Sequence, residues 1–359
     1  MEIHQFLPSL VDHDAIGSHV RHLQQLITDM GIPSEIYAWE WRGERSRARD
    51  YRTFDPVPPP RETWMLYHLS TATEVAPFVA SRPERLAVNY HNITPAELFA
   101  PWEPTIGRIQ EDAREQLRDL APRTELAIGV SAYNEAELRS CGYGATTVAP
   151  ILFDPEEFHR EPDRKVAERL REAKARGGSD WLFVGRVAPH KCQHDVIKAF
   201  ALYQRLYDPK ARLHIVGGIA SHLYWNVLHR YLDVLELHDS VTLTGTVGNG
   251  ALGAYYRNAD VFVCLSEHEG FGVPLLEALH NDVPVVAFDA AAVGETVGEG
   301  GILLADKSPG MVAAAVHRVV SDEAVSGAMR ERGRQRLARF TFAAAAARWR
   351  EIIGEMVAG

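Results

Sequence analysis

The chain has 359 residues, of which 46% are hydrophobic and 24% charged, a composition typical of a soluble globular protein and not of a disordered chain. This length exceeds what one hydrophobic core usually organises, so two domains are expected. The formal net charge of -10 argues against a general nucleic-acid binder, because affinity for phosphate backbones comes mainly from clustered lysine and arginine.

The cysteines and the first residues indicate where the protein works. Cys141, Cys192 and Cys264 are widely separated, form no disulfide framework and fit free thiols in a reducing cytosol. The N-terminus lacks a basic segment followed by an apolar one, and no apolar run reaches the roughly 18 residues that span a bilayer. We therefore expect a cytoplasmic protein that does not span the membrane.

The first half alternates short apolar runs with amphipathic stretches. Strands separated by helices in this way indicate βαβ crossovers and a parallel sheet. The candidate strands are Ile3 to Leu7, Ile36 to Trp39, Trp64 to Leu69, Leu86 to Tyr90 and Leu126 to Val130, followed by a helix from about Ser131.

The segment around residues 42 to 62 is irregular and rich in tryptophan and arginine. It suits peripheral contact with a membrane or with an acceptor, but its interspersed acidic residues fit a solvated loop equally well. The aromatic and basic residues are Trp39, Trp41, Arg42, Arg45, Arg47, Arg49 and Arg52, and the acidic ones are Glu40, Glu44, Asp50 and Asp55.

The second half shows the same alternation and predicts a second doubly wound sheet. Prolines place the interdomain linker near residues 150 to 160, and an alanine-rich helix follows from about Thr341 to Val357. Ligands of such sheets bind beyond the carboxyl edges of the strands, so we expect the site in a cleft between the domains. The candidate strands are Trp181 to Gly185, Leu213 to Val216, Val241 to Thr244, Val261 to Leu265 and Val283 to Phe288.

The stretch from Ser266 to Ala278 follows an apolar strand and opens a helix. Gly270 and Gly272 permit close approach of a ligand to the backbone, and free amides at a helix start suit a phosphate. Glu269 and Glu277 can face one extended ligand, and carboxylates suit sugar hydroxyls. The alternative is that Glu277 is a solvent-facing helix residue and Glu269 an ordinary loop residue.

A second cluster places two cations beside a predicted strand. Arg186 falls just past the strand and Lys191 lies near the start of the next helix. Together they suit a diphosphate and the negative charge that accumulates as it leaves. Taken singly, each fits an ordinary surface cation.

Four motifs mark the second half: Val184-Gly185-Arg186 with Lys191, Gly217-Gly218, Gly245-Thr246-Val247, and Glu269 followed by Glu277. Together they resemble the retaining glycosyltransferases of family 4, which have the GT-B fold of two doubly wound, Rossmann-like α/β domains facing a cleft. The resemblance is strong over residues 181 to 305 and fair over 126 to 158. Before residue 126 it rests on Gly17, expected in the loop after the first strand, and on Tyr90-His91-Asn92. That loop lacks the family's usual double glycine.

The resemblance implies roles for the domains and for single residues. Residues 1 to 153 would bind the acceptor, residues 160 to 340 the nucleotide-sugar donor, and a helix at about 341 to 359 is expected to return to the first domain. Arg186 and Lys191 would bind the donor diphosphate, Glu277 the ribose and Glu269 the transferred sugar. The other implied contacts are His91 to the sugar, the amides of Phe271, Gly272 and Val273 to sugar and phosphate, Val247 to the base, and Gly17 and Gly218 beside the donor.

The implied reaction moves a sugar from a nucleotide-diphosphate donor, most simply a UDP- or GDP-sugar, to a hydroxyl of a carbohydrate or lipid-linked acceptor. The anomeric configuration is retained, and polysaccharide or glycolipid assembly is the expected setting. No cofactor or metal is expected: His190, Cys192 and His194 lack a fourth ligand, and His13, His19 and His22 are no better placed.

Three alternatives share parts of this pattern. A sugar-nucleotide epimerase or a phosphorolytic enzyme would use the same scaffold without an organic acceptor. A non-catalytic sugar-nucleotide binding protein would bind the donor without turnover. A nicotinamide dehydrogenase is disfavoured, since no strand is followed by G-x-G-x-x-G with an acid about 20 residues later.

Overall fold

The computed structural model describes residues 1–11, 14–43, 47–155 and 163–358. The chain forms two compact units. The first unit comprises Met1–Ala100, Pro104–Phe153 and Phe340–Gly359, and the second comprises Pro101–Glu103 and Asp154–Arg339. Residues 156–162, which include the end of the predicted linker, lie outside the described part of the chain.

The first unit contains a seven-stranded parallel sheet with the strand order β3-β2-β1-β4-β5-β6-β7. Its central strand β4 is buried at every position, as expected where helices cover both faces of a parallel sheet. The strands are β1 (Glu2–Val11), β2 (Ile36–Arg42), β3 (Arg49–Asp50), β4 (Thr63–Leu69), β5 (Arg85–Tyr90), β6 (Leu126–Gly129) and β7 (Thr146–Val148).

Five α-helices lie among the described residues of this unit. Asp14 and Ser131 cap two of them by accepting hydrogen bonds from backbone amides in the first turn, as short polar side chains do at helix starts. The helices are α1 (Ala15–Asp29), α2 (Val75–Ser81), α3 (Pro104–Leu120), α4 (Ala132–Ser140) and α13 (Phe342–Ala358).

The C-terminal helix α13 packs into the core of the first unit. Trp349 is fully buried, and its Nε1 donates to the carbonyl of Pro150 at 3.0 Å. Trp64 in β4 donates from Nε1 to the carbonyl of Met356 at 2.9 Å. Two buried indoles, each with its N–H satisfied, thus attach α13 to this sheet.

The second unit contains a six-stranded parallel sheet with the order β10-β9-β8-β11-β12-β13. The strands are β8 (Asp180–Val184), β9 (Arg212–Val216), β10 (Val241–Leu243), β11 (Val261–Cys264), β12 (Val285–Phe288) and β13 (Gly301–Leu304). The helices are α5 (Arg164–Ala175), α6 (Gln193–Leu206), α7 (His222–Leu235), α8 (Asn249–Asn258), α9 (Val273–His280), α10 (Val293–Val297), α11 (Pro309–Ser321) and α12 (Glu323–Leu337).

Both sheets are doubly wound, so the predicted fold class is confirmed. The strand order reverses between β1 and β4 in the first unit and between β8 and β11 in the second. In such sheets the crevice at the reversal, beyond the carboxyl ends of the strands, is where ligands bind. All strands predicted from apolar runs are present, while the short strands β3, β7 and β13 were not predicted.

Three arginines of the tryptophan- and arginine-rich segment form local ion pairs. Arg42 pairs with Glu40, Arg49 with Glu35, and Arg52 with Asp50. Trp39 and Trp41 are exposed, and residues 44–46, with the predicted Glu44 and Arg45, lie outside the described chain. Its membrane contact stays a prediction.

The cysteines and the helices bear on two further expectations. Cys141, Cys192 and Cys264 are all free thiols, as predicted. Over the residues that the structure describes, every helix is too short or too polar to cross a bilayer.

Candidate active site

The segments after β8 and β9 run side by side at the carboxyl edge of the second sheet. The amide of Gly185 donates to the carbonyl of Val216 at 2.9 Å, and the amide of Val187 donates to the carbonyl of Gly218 at 2.8 Å. Gly217 has a φ of 149°, and a Cβ there would overlap the carbonyl oxygen of Gly185. Glycine is therefore required where the two segments cross.

Arg186 lies where these two segments contact each other. Its carbonyl accepts a hydrogen bond from Gln193 Nε2 at 2.9 Å, which fixes the backbone against the start of α6. Its side chain is exposed and pairs with no carboxylate in the described part of the chain. The guanidinium is therefore available to a ligand anion.

Lys191 ends a single 3-10 turn, Pro189–Lys191, just before α6. Its Nζ lies 2.6 Å from Glu269 Oε2, and only 14% of each side chain is exposed. A second tie runs beside it, since the amide of Glu267 donates to the carbonyl of His190 at 2.9 Å. These contacts bring the segment after β8 against the segment after β11.

The glycine-rich segment before α9 is shaped for backbone exposure. Gly272 has a left-handed φ of 87°, and a Cβ there would lie 2.7 Å from Leu275 Cδ1. Thr296 donates its hydroxyl to the carbonyl of Phe271, which anchors the turn. Among the described residues no side chain caps the first turn of α9, so the amide of Val273 and the positive end of the helix dipole suit an anion.

Glu277 lies one turn into α9 and is 7% exposed. The alternative that it is a solvent-facing residue is therefore wrong. Tyr256 in α8 donates its hydroxyl to Glu277 Oε2 at 2.6 Å. Burial raises the pKa of Glu277 to about 7, although the hydrogen bond from Tyr256 opposes the shift.

Gly218 and Val247 lie at the same edge, after β9 and β10. A Cβ on Gly218 would come within 2.9 Å of Thr246 Oγ1, so the segments after these two strands are close. The amide of Gly217 donates to the carbonyl of Gly245 at 3.1 Å, and Val247 is half-buried beyond this contact.

His91 follows β5 at the carboxyl edge of the first sheet. Its amide donates to the carbonyl of Leu69 at 2.9 Å, which extends the ladder by one residue. Asn92 takes a left-handed φ of 87° and donates from Nδ2 to Asn134 Oδ1 at 2.8 Å. Asn134 in turn donates to the carbonyl of Tyr90 at 3.3 Å, so the turn that carries His91 is fixed from both sides.

A buried hydrogen-bonded chain ends at His91. His91 Nε2 lies 2.9 Å from His68 Nδ1, and His68 Nε2 lies 3.0 Å from Gln5 Oε1. Burial lowers the pKa of His91 to about 3 and the pKa of His68 well below its ordinary value, so both rings are neutral at neutral pH.

His19 packs beside these two rings, and ring nitrogens of the three histidines lie within 4.8 Å of one another. Three imidazoles so close resemble a metal site. However, the 2.9 Å separation of His68 Nδ1 and His91 Nε2 is that of a hydrogen bond, and His19 Nδ1 accepts from the amide of Leu152 at 3.1 Å. The cluster is therefore a hydrogen-bonded core.

Comparisons with known proteins agree with this geometry. Residues 167–336 match the family model described as glycosyl transferases group 1. A GDP-mannose-dependent alpha-(1-6)-phosphatidylinositol monomannoside mannosyltransferase from Mycobacterium tuberculosis is 27% identical over 339 residues, which cover 84% of this chain and 83% of that protein. A D-inositol 3-phosphate glycosyltransferase from Kineococcus radiotolerans is 31% identical over 223 residues, 57% of this chain and 51% of that protein. The chain is a glycosyltransferase, and the match to glycosyl transferases group 1 lies within its second unit.

Solved structures show the fold of this glycosyltransferase. Sucrose-phosphate synthase from Thermosynechococcus elongatus matches with a TM-score of 0.77 and 18% identity over 100% of both chains. Anabaena HepE, in complex with UDP-glucose, matches with a TM-score of 0.74 and 17% identity over 99% of this chain and 100% of that one. Both support the GT-B fold.

Gly17 of the glycosyltransferase lies elsewhere than predicted. It is not in the loop after β1 but inside the first turn of α1, where its amide donates to Asp14 Oδ2 at 3.2 Å. A Cβ there would lie 2.5 Å from the carbonyl oxygen of Val11. Packing of α1 against the end of β1 therefore explains this glycine. Of the loop itself, Asp12 and His13 lie outside the described residues.

The other predicted residues of the glycosyltransferase lie at two sheet edges. Those of the second unit gather where β8, β9, β10 and β11 end, whereas His91 lies at the edge of the first sheet. Sequence reasoning missed Tyr256, His68 and Gln5. Tyr256 and His68 contact predicted residues that are distant in the sequence, and Gln5 reaches His91 only through His68. The second-unit residues are Arg186, Lys191, Gly218, Val247, Glu269, Phe271, Gly272, Val273 and Glu277.

Proposed function

We propose that this glycosyltransferase moves a sugar from a GDP- or UDP-sugar to a hydroxyl of a carbohydrate or lipid-linked acceptor, with retention of configuration. The observation that carries the proposal is Arg186, which is exposed and has no carboxylate partner among the described residues. It lies at the strand reversal of the second sheet, on the same edge as the start of α9. A cation and the positive end of a helix at one edge suit a diphosphate.

The identity of the donor is supported by the relatives. The mannosyltransferase that aligns with 84% of this chain is named as GDP-mannose-dependent, and HepE was solved with UDP-glucose. The sequence match is the closer guide to chemistry, because HepE shares only the fold. We therefore propose GDP-mannose as the first donor to test and UDP-glucose as the second.

In the proposed reaction, Arg186, Lys191 and the amides of Phe271, Gly272 and Val273 hold the donor diphosphate. Glu277 accepts hydrogen bonds from the ribose hydroxyls and Glu269 from the transferred sugar. The bond between the anomeric carbon and the phosphate oxygen breaks, and the acceptor oxygen bonds to that carbon on the same face. The acceptor proton passes to the departing phosphate oxygen. Positioning and stabilisation of the departing charge supply the catalysis.

We further propose that no metal is needed, because Arg186 and Lys191 meet the charge that a divalent cation would otherwise balance. An acceptor in glycolipid assembly is favoured by the acceptor for which the mannosyltransferase relative is named, a phosphatidylinositol monomannoside.

A thermal-shift panel with UDP, GDP, ADP and dTDP tests the proposal first, since a ligand that binds only the folded state raises its stability by RT ln(1 + [L]/Kd). We expect GDP or UDP to raise Tm. The enzyme is then incubated with the matching sugar nucleotide and with carbohydrate or glycolipid acceptors, and the anomeric configuration of the product is determined by NMR. Donor cleavage by inorganic phosphate alone would favour a phosphorolytic enzyme instead, and binding without turnover would favour a non-catalytic protein.

A further inference from the structure

The hydrogen-bonded chain at the edge of the first sheet has a defined direction. Gln5 Nε2 donates to the carbonyl of Val20 at 3.0 Å, and this contact fixes which end of the amide faces His68. Gln5 Oε1, which can only accept, then lies 3.0 Å from His68 Nε2. His68 Nε2 therefore carries the proton.

The tautomer of His91 follows from that of His68. A neutral imidazole has one N–H and one lone pair, so a proton on His68 Nε2 leaves the lone pair on Nδ1. His91 Nε2, at 2.9 Å, must then be the donor. The lone pair of His91 consequently lies on Nδ1, which is buried and has no hydrogen-bond partner in the described chain.

We propose that Gln5 and His68 are positioning residues that lock His91 in its Nε2–H tautomer, so that Nδ1 accepts a hydrogen bond from a sugar hydroxyl of the substrate. The hydroxyl contact rests on the proposed function, whereas the tautomer does not. A buried acceptor without a donor is costly, and a ligand hydroxyl would satisfy it. Nδ1 is buried in the ligand-free protein, so the side chains that cover it must move when the sugar binds.

This arrangement sets what His91 does. Because the ring is neutral and its pKa is low, it selects a hydrogen-bond donor and takes up no second proton during the reaction. A hydroxyl satisfies Nδ1, while an ether or a fluorine at the same ring position places a second lone pair against it.

The tautomer is tested on the ligand-free protein. Long-range ¹H–¹⁵N spectra of histidine-labelled protein separate protonated from unprotonated ring nitrogens, and loss of one ring system in His91→Gln assigns the signals. We expect His91 with Nδ1 unprotonated and Nε2 protonated. The opposite pattern overturns the proposal.

Three variants test whether His68 sets the tautomer of His91. His68→Leu removes the acceptor that faces His91 and should shift its ring toward the Nδ1–H form, lowering kcat/KM about tenfold or more. His68→Asn places Oδ1 near the former Nδ1, so the tautomer and most of the activity should return. Asn89→Leu is the matched control, because Asn89 is buried in the adjacent strand and bonds to His19. Its stability should fall, while the tautomer of His91 stays unchanged.

The hydroxyl contact is tested by saturating the protein with GDP-mannose, or with UDP-glucose where that is the donor. We expect the Nδ1 resonance to move upfield, as the ¹⁵N signal of an unprotonated ring nitrogen does when that nitrogen accepts a hydrogen bond. A folded His68→Leu variant with an unchanged tautomer and wild-type kcat/KM overturns the positioning role of His68. An unmoved Nδ1 resonance overturns the contact. A chain that binds no nucleotide sugar overturns the proposed function and the contact together, and the ligand-free spectrum still decides the tautomer.

Discussion

Lys191 Nζ lies 2.6 Å from Glu269 Oε2, and this ion pair joins the segment after β8 to the segment after β11. Both side chains are mostly buried, so the pair is weakly screened and each charge depends on the other. In the proposed mechanism, Lys191 also faces a diphosphate and Glu269 a sugar. A bound donor therefore redistributes a charge that is already balanced.

The first prediction separates the two roles of Glu269. Glu269→Gln removes a negative charge beside the diphosphate, so nucleoside diphosphate alone should bind as tightly or more tightly. Transfer should nevertheless fall, because the sugar loses a charge-assisted contact of roughly 1.5 to 3 kcal/mol. Calorimetry gives the binding and initial rates give the transfer. Glu267→Gln is the control, since Glu267 pairs with Lys307 instead. Weaker nucleoside diphosphate binding in Glu269→Gln would contradict this assignment.

The second prediction concerns pH and Glu277. Its folded pKa of about 7 exceeds the ordinary value of 4.5, so its stabilising contribution is fully present below the ordinary pKa and is lost as pH rises through about 7. Ribose binding needs the ionised form and runs the other way: donor KM should rise as pH falls below about 7. Tyr256→Phe removes a hydrogen bond that favours ionisation and should move this rise to higher pH.

Glu277→Gln tests the same contact with a side chain that does not titrate. It should weaken donor binding by roughly 1 to 3 kcal/mol and remove the pH dependence of donor KM, while chemistry on bound donor changes less. An unchanged donor KM would show that Glu277 serves only the packing of α9 against Tyr256.

The third prediction concerns Gly17. A Cβ at this position lies 2.5 Å from the carbonyl oxygen of Val11, so Gly17→Ala should destabilise the protein by about 1 to 3 kcal/mol. Gly354→Ala is the matched control, because a Cβ there meets nothing within 4 Å in helix α13, and alanine should be neutral or stabilising by up to about 1 kcal/mol. Thermal unfolding measures both. Equal Tm values for the two variants would remove packing as the reason for Gly17.

The fourth prediction is that transfer persists in excess EDTA, because Arg186, Lys191 and the positive end of α9 balance the phosphate charge. Initial rates with and without the chelator measure it. A complete loss of activity that magnesium restores would place the enzyme in a metal-dependent class.

The sequence predicts the two doubly wound sheets well because the buried parallel strands are continuous apolar runs. Strands β7 and β13 were missed since Thr146–Val148 and most of Gly301–Leu304 are only half-buried and carry a weaker signal. Gly17 was misplaced because its amide already belongs to the first turn of α1, and helix ends are the least certain feature of a sequence.

The candidate site was predictable where it is local. The glycine-rich segment and Glu277 lie close together along the chain, so one motif shows both. Lys191 and Glu269 meet only because β8 and β11 are neighbours in the sheet. The hydrogen bonds that link Gln5, His68 and His91 likewise depend on β1, β4 and β5 lying side by side. No short sequence motif predicts that pairing.

The most direct measurement is kcat for Arg186→Ala and Lys191→Ala, each shown to be folded by circular dichroism. The two cations are assigned to a charge that grows as the sugar leaves, so their loss should appear in kcat and not only in KM. We predict a fall of roughly 100-fold or more for each, by analogy with one oxyanion donor at about 2.7 to 4 kcal/mol, and a less than additive double variant. Lys198→Ala, a lysine on α6 that pairs with Asp195, should keep the wild-type rate. Wild-type kcat in folded Arg186→Ala and Lys191→Ala would contradict the account.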